Sequence, residues 1–275
     1  MQCMKCDFHM HSSVSDGSDT ISQLIEKAQK RGLYAIAVTE HDTLSHIGKI
    51  PANADVHVAA GIEISATHKQ TGIKAHILGY NIVKTEIVNE LVSPVLEARN
   101  RLSEKQAEII TKLGYNIDVS LLSRADGKYL YKQHIMAWLC ETGQVSEMFG
   151  AFYKKIFKGG GVCDLEIDYP SVFDAVSAIK EAGGLAVLAH PGQQSNFWLI
   201  PKLTDVGLDG LELNHPSNTE SDKEKIHDYA KKHNLFLTGG SDYHGMFSSH
   251  PYKIGDIISE KSGIRAILGS SVRNP

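Results

Sequence analysis

Apolar residues recur along this chain with two alternating periods. Between Asp19 and Gly32 they fall at Ile21, Leu24, Ile25 and Ala28, the spacing of one helix face, with Asp19 or Thr20 placed to cap the start and Gly32 to end it. A buried-strand run over 33–38 follows at once. The alternation then returns as strands over 56–60 and 73–80, a helix over 170–182, a strand over 185–189, a helix over 200–206, a strand over 210–213, a helix over 220–233 and a strand over 235–238. Repeated βα units of this kind predict an α/β fold built on a mainly parallel sheet or barrel.

Between 85 and 164 the strand signal lapses and helices replace it, with Ser93 as an expected N-cap, Pro94 at the first helical position and Gly114 past the end. The chain therefore reads as a catalytic barrel over 1–84 and 165–275, interrupted by a helical insertion over 85–164. That insertion balances ten Lys and Arg against ten Asp and Glu, so it offers no basic platform for nucleic acid. A lid or wall over the barrel mouth fits it better. The cluster Gly159-Gly160-Gly161 has no strand before it and no helix after it, and reads as a turn or hinge rather than a phosphate-cradling loop.

Composition narrows the partners. The 275 residues, 42% of them hydrophobic, suffice for one domain with a full core. No apolar run approaches the ~20 residues that cross a bilayer, and Met1 to Asp7 resembles no signal peptide, so a soluble, cytoplasmic protein with no membrane partner is expected. A formal net charge of −4 gives no reason to expect duplex DNA as a partner. Four cysteines are too few for a disulfide framework; Cys140 and Cys163 read as buried thiols, and the Cys3/Cys6 pair lacks a second pair at zinc-site spacing. The unusual entry is 14 histidines.

Where the histidines fall carries the chemistry. In Asp7-Phe8-His9-Met10-His11 two imidazoles stand two residues apart, on one side of an extended strand, with Asp16 close behind. The next strand runs out into Thr39-Glu40-His41-Asp42-Thr43, and a third into Gly61-Ile62-Glu63. Later strands end in Ala189-His190-Pro191 and Ser241-Asp242-Tyr243-His244. Barrel enzymes gather their reactive groups at strand ends, and so many buried polar groups without a metal or substrate would cost stability. A polynuclear metal centre is the expectation. His76, inside the apolar run Ala75-His76-Ile77, reads from residue type alone as a core histidine, and His134 is left open. His215, in Asn214-His215-Pro216, is a candidate acid or phosphate ligand, or a loop histidine without a role.

In order along the chain, H-x-H with Asp16, T-E-H-D-T, G-I-E-I-S, A-H-I-L-G-Y, A-H-P-G and G-G-S-D-Y-H-G resemble the motifs of the polymerase and histidinol phosphatase (PHP) family. The match spans nearly the whole chain. The insertion and its position also resemble the branch that hydrolyses nucleoside 3′,5′-bisphosphates and trims short oligoribonucleotides from the 5′ end. The resemblance implies a distorted seven-stranded (β/α) barrel with a helical insertion domain and two or three divalent transition metals. It assigns one ion to His9, His11, Glu63 and Asp242, with Glu63 bridging to a second held by His76 and His134. The third would take Asp16, His41, His190 and His244. Where that branch usually has an arginine two residues before the insertion histidine, to grip a second phosphate, this chain has Lys132; where it tends to have a histidine after Pro216, this chain has Ser217-Asn218-Thr219.

Mixed imidazole and carboxylate ligands suit Mn, Fe or Zn better than Mg or Ca. The expected activity is metal-dependent hydrolysis of a small phosphomonoester, a nucleotide with a second phosphate or a short oligoribonucleotide end, with Glu63 and His215 in catalysis and Lys132 and His215 on the substrate. Histidinol phosphate is the alternative substrate, against which the helical insertion argues. A non-catalytic metal- or nucleotide-binding module is the alternative from another class, against which the intact ligand set argues.

Overall fold

A computed structural model describes residues 4–122 and 129–269. The strands β1 (Cys6–Asp7), β2 (Ala35–His41), β3 (His57–His68), β4 (Ile73–Tyr80), β5 (Leu185–Leu188), β6 (Gly210–Asn214) and β7 (Phe236–Gly239) lie in chain order in one sheet. Phe8 N–H donates to Gly239 O (3.2 Å) and His11 N–H to Tyr243 O (2.9 Å), which brings the first and last strands together and nearly closes the sheet into a barrel. A Cβ on Gly240 would lie 2.3 Å from His9 N, so this seam can close only over glycine.

The sheet is mixed. β3 and β4 form an antiparallel hairpin across residues 69–72, and β4 also runs antiparallel to β5, while the other neighbours are parallel. No helix separates β3 from β4, because a hairpin needs none.

Period-2 alternation sorts the strands into two layers. Ile62, Ile64, Ile77, Leu188 and Leu211 face outward onto helices α2 (Thr85–Lys112), α5 (Val172–Glu181), α7 (Ile200–Asp205) and α8 (Glu220–His233). Ala35, Ala37, Leu78, Tyr80 and Val187 join Phe8 in a second core, against which α9 (Lys261–Leu268) packs. α1 (Ile21–Lys30) starts at a Thr20/Gln23 capping box and buries Ile21, Leu24, Ile25 and Ala28, the face its periodicity predicts. A short helix, α6 (Pro191–Gln194), follows His190.

Between β4 and α5 the described chain is helical: α2, α3 (Lys132–Glu141) and α4 (Ala151–Phe157). Contrary to the expected start at Ser93, α2 begins at Thr85 and carries Pro94 inside it. Burial of Val88 and Val92 in the barrel core outweighs the missing Pro94 N–H, and Ser93 Oγ donates to Asn89 O (2.6 Å) rather than capping. The C-terminal half of α2 turns instead to a separate core with α3 and α4, built from Ala107, Ile110, Ile135, Leu139, Ile156 and Phe157 among others. Gly159 and Gly160 take positive φ in the turn that leaves α4.

Candidate metal centre

The side-chain alternation that sends Ile62 and Ile64 outward sends Glu63 inward, where it is 1% exposed. Five imidazoles surround this one carboxylate. His9 Nε2 (3.1 Å), His11 Nε2 (3.2 Å) and His41 Nδ1 (3.4 Å) approach Oε2; His76 Nδ1 (2.6 Å) and His190 Nε2 (2.9 Å) approach Oε1. His76 arrives from the middle of its strand because β4 runs against its neighbours, which places it opposite Ser65. Its antiparallel partner, not a strand end, is what positions it.

Three donor groups share this focus. His9, His11, Glu63 and Asp242 form one; His41, Glu63 and His76 a second; His11, Asp16, His41 and His244 a third, with ligand atoms within 4.8 Å of one another in each. Asp16 enters the third on a loop whose Ser12 and Ser15 hydroxyls both donate to the buried Glu40 carboxylate. Asp42, His190 and Asp242 all take positive φ just past strand ends, a backbone uncommon outside glycine. His190, at φ 25, lies furthest of the three from the left-handed well.

Two of the expected placements meet a different geometry. His190 Nε2 lies beside Glu63 Oε1 (2.9 Å), whereas the donor group of Asp16 consists of His11, His41 and His244, with His11 also in the group of His9, Glu63 and Asp242. His134 joins none of the donor groups among the described residues; its Nδ1 accepts the Tyr131 N–H (3.0 Å) at the start of α3. Helix geometry consumes that nitrogen locally. His215 is buried, with Nδ1 accepting the Ser217 N–H (3.1 Å) and Nε2 at 3.3 Å from Asp242 Oδ2. Cys3 lies outside the described residues; Cys6 is buried on β1, and Cys163 is buried while Cys140 is only partly so.

Burial alone would neutralise these groups, and their mutual attraction opposes it. For Glu63 and Asp242 burial pushes the carboxyl pKa up, but the surrounding histidines outweigh it and hold both well below the ordinary range. Burial lowers His11, yet Asp242, Glu63 and Asp16 push it up to about 10; for His41 burial wins and the value falls to about 3. Both ring nitrogens of His11, and Nδ1 of His41 and of His190, make no hydrogen bond although buried. Buried imidazole nitrogens without hydrogen bonds, set around ionised carboxylates, are the set a divalent transition cation satisfies, so the residues fit the metal their pattern implies.

Four groups escaped the sequence reading. Glu212 is fully buried beside His9, and Gln133 on α3 donates to Asp16 Oδ2 (2.7 Å). Asp42 pairs with Arg99 of α2 (2.6 Å), whose guanidinium lies over the Tyr131 and Tyr169 rings. Their partners are remote in sequence, and only an unusual Glu in the apolar run Gly210-Leu211-Glu212-Leu213 hinted at one of them.

A nearly closed α/β barrel that concentrates histidines and carboxylates around one central carboxylate is the architecture of a metal-dependent phosphoesterase. Residues 7–182 match the PHP domain, and the chain belongs to that family. It is 41% identical over 253 residues to the phosphoribosyl 1,2-cyclic phosphate 1,2-diphosphodiesterase of Eggerthella lenta, covering 90% of this chain and 96% of that one. With the 3′,5′-nucleoside bisphosphate phosphatase of Chromobacterium violaceum it shares 28% identity over 256 residues, 86% of each chain. Among solved structures, a Bifidobacterium adolescentis protein provisionally named a metal-dependent phosphoesterase superposes with a TM-score of 0.85 at 25% identity, over 97% of this chain and 96% of that one.

Proposed function

We propose that this enzyme hydrolyses a phosphate ester of a ribose that carries a second phosphoryl group, such as a nucleoside 3′,5′-bisphosphate or the 5′ end of a short oligoribonucleotide, using two or three Mn, Fe or Zn ions at the centre around Glu63. The observation that carries it is a cavity of about 330 Å³ lined both by Asp16, His41 and His76 of the centre and by Arg99, Lys132 and Lys74. Divalent ions bound there would acidify a water near neutral pH and neutralise charge on the phosphoryl oxygens.

The chain's own residues do the rest. Glu63 bridges two donor groups and His9, His11, His41, His76, His190, Asp16, Asp242 and His244 complete them. Lys132, partly buried, has its amine 5.8 Å from the Tyr153 ring centre. Burial and the Arg99 charge both lower its pKa, so an anion between Lys132 and Arg99 would relieve each of them. That is the seat of the second phosphate. His215, with Nδ1 occupied as an acceptor, carries its hydrogen on Nε2 beside Asp242, where it can donate a hydrogen bond to a phosphoryl or leaving oxygen. The helices over 85–164 act as a wall that brings Arg99, Lys132 and Gln133 to the mouth.

A cyclic phosphodiester on a phosphorylated ribose is favoured as a second reading by the 41% identity to the Eggerthella lenta enzyme. Phosphate release by metal-stripped protein, with Mn, Fe and Zn returned separately, distinguishes the substrates. The panel is adenosine 3′,5′-bisphosphate, adenosine 5′-monophosphate, phosphoribosyl 1,2-cyclic phosphate, a 5′-phosphorylated dinucleotide and histidinol phosphate. Preference for a ribose with two phosphoryl groups is expected; equal turnover of the monophosphate or of histidinol phosphate would contradict it.

A further inference from the structure

Glu212 takes no part in the roles above. It stands on β6 with no exposed surface, and both its oxygens are engaged: Oε1 lies 2.8 Å from His9 Nδ1, and Oε2 accepts the His190 backbone N–H at 2.9 Å. We propose that Glu212 is a positioning residue that fixes the tautomer of His9 and the turn carrying His190, so that both rings present Nε2 to Glu63. The inference rests on the reading that divalent cations occupy the Glu63 centre.

The argument is one of donors and acceptors. An ionised carboxylate only accepts, so the His9 nitrogen facing Glu212 carries the hydrogen, and the lone pair of the neutral ring falls on Nε2. That nitrogen is the one 3.1 Å from Glu63 and 3.4 Å from Asp242. The other tautomer would aim an N–H at the cation. His190 adopts φ 25 and ψ 59, short of the left-handed well that non-glycine residues use, and the Glu212 bond to its N–H holds this turn at the end of β5. Glu212 thus ties three strands, β1, β5 and β6, into one arrangement of two ligands. It also groups with His9 and His215 as a possible donor trio, but each of its oxygens already takes an N–H, and His9 Nδ1 would have to lose its hydrogen to join a cation there.

Glu212→Gln tests this, because a carboxamide has one acceptor oxygen for two N–H groups. Whichever bond it keeps, the amide NH2 then faces either His9 Nδ1, favouring the wrong tautomer, or the His190 N–H. Calorimetric titration of metal-stripped protein with Mn2+ should show the variant binding roughly ten- to a hundred-fold more weakly. The stripped variant should stay folded, with its melting point lowered by the one donor left unpaired, and excess Mn2+ should restore kcat with KM unchanged. Affinity within twofold of the parent would overturn the proposal while leaving the centre intact; a parent that binds no Mn2+ would remove both. Should Glu212→Gln fail to fold, 15N NMR of histidine-labelled, Zn2+-loaded parent decides, with His9 assigned by the signals lost in His9→Asn. Hydrogen on Nδ1 is expected, and hydrogen on Nε2 would overturn the proposal.

Discussion

Glu63 concentrates the site into one side chain, since its two oxygens face five imidazoles from β1, β2, β4 and the turn after β5. Glu63→Gln should abolish turnover while the stripped protein keeps the parent's circular dichroism, because an amide cannot bridge two cations. Normal turnover would show the bridge to be misplaced. Lys132→Ala should raise KM for a 3′,5′-bisphosphate far more than for a monophosphate, by a charged contact of ~1.5–3 kcal/mol, roughly ten- to hundred-fold in kcat/KM. Lys132→Arg should preserve or improve the same substrate, since a guanidinium fork suits phosphate. Identical behaviour of both variants on both substrates would make Lys132 a bystander. At this scale the histidines and carboxylates that meet around Glu63 were mostly legible in the sequence, because strand-end polar residues stand out against apolar runs. Their division into donor groups was not: it depends on how strands curve around Glu63, which sets His190 beside Glu63 and lets His11 stand in two groups, while His134 spends Nδ1 on the Tyr131 N–H.

Elements were read best where one period held without interruption. The α1 face and cap follow directly from Thr20, Ile21, Leu24, Ile25 and Ala28. β3 runs to His68, well past the expected end at 60, because Glu63, Ser65 and Thr67 break the apolar run while the backbone stays paired with β4. α2 begins eight residues before Ser93 because packing of Val88 and Val92 decides against the proline signal. The same helix is tied to the barrel by the Asp42–Arg99 pair, with Asp42 fully buried and Arg99 19% exposed. Asp42→Asn should destabilise the fold by ~3–5 kcal/mol in urea unfolding, the cost of orphaning a buried charge. Adding Arg99→Met should recover part of that loss; strictly additive losses would show that the pair is not coupled.

For the whole molecule, the α/β layering and the helices over 85–164 were legible in the periodicity, but that pattern fits an open sheet and a barrel alike, and only the family resemblance implied closure. The reversed β4 was not legible, since a hairpin leaves no periodicity of its own. Stability should carry a pH signature from His46, which is fully buried after β2 and whose pKa burial lowers to about 4. A folded value below the ordinary 6.5 means that the unfolded chain binds the proton first, so stability is full above pH 6.5 and falls as pH drops towards 4. The loss is at most ~3 kcal/mol, at ~1.4 kcal/mol per pKa unit. The stripped His46→Leu variant should gain on the parent over that window, and parallel pH curves would remove His46 from the account.

Catalytic metal held by the donor groups around Glu63 is what the proposed activity requires. Elemental analysis of the purified protein, coupled to phosphate release before and after a strong chelator, is the decisive check. Two or three transition-metal ions per chain are expected, with activity that disappears with the chelator and returns with Mn, Fe or Zn. Protein with no bound metal whose activity survives the chelator unchanged would show that the centre around Glu63 is not a metal site.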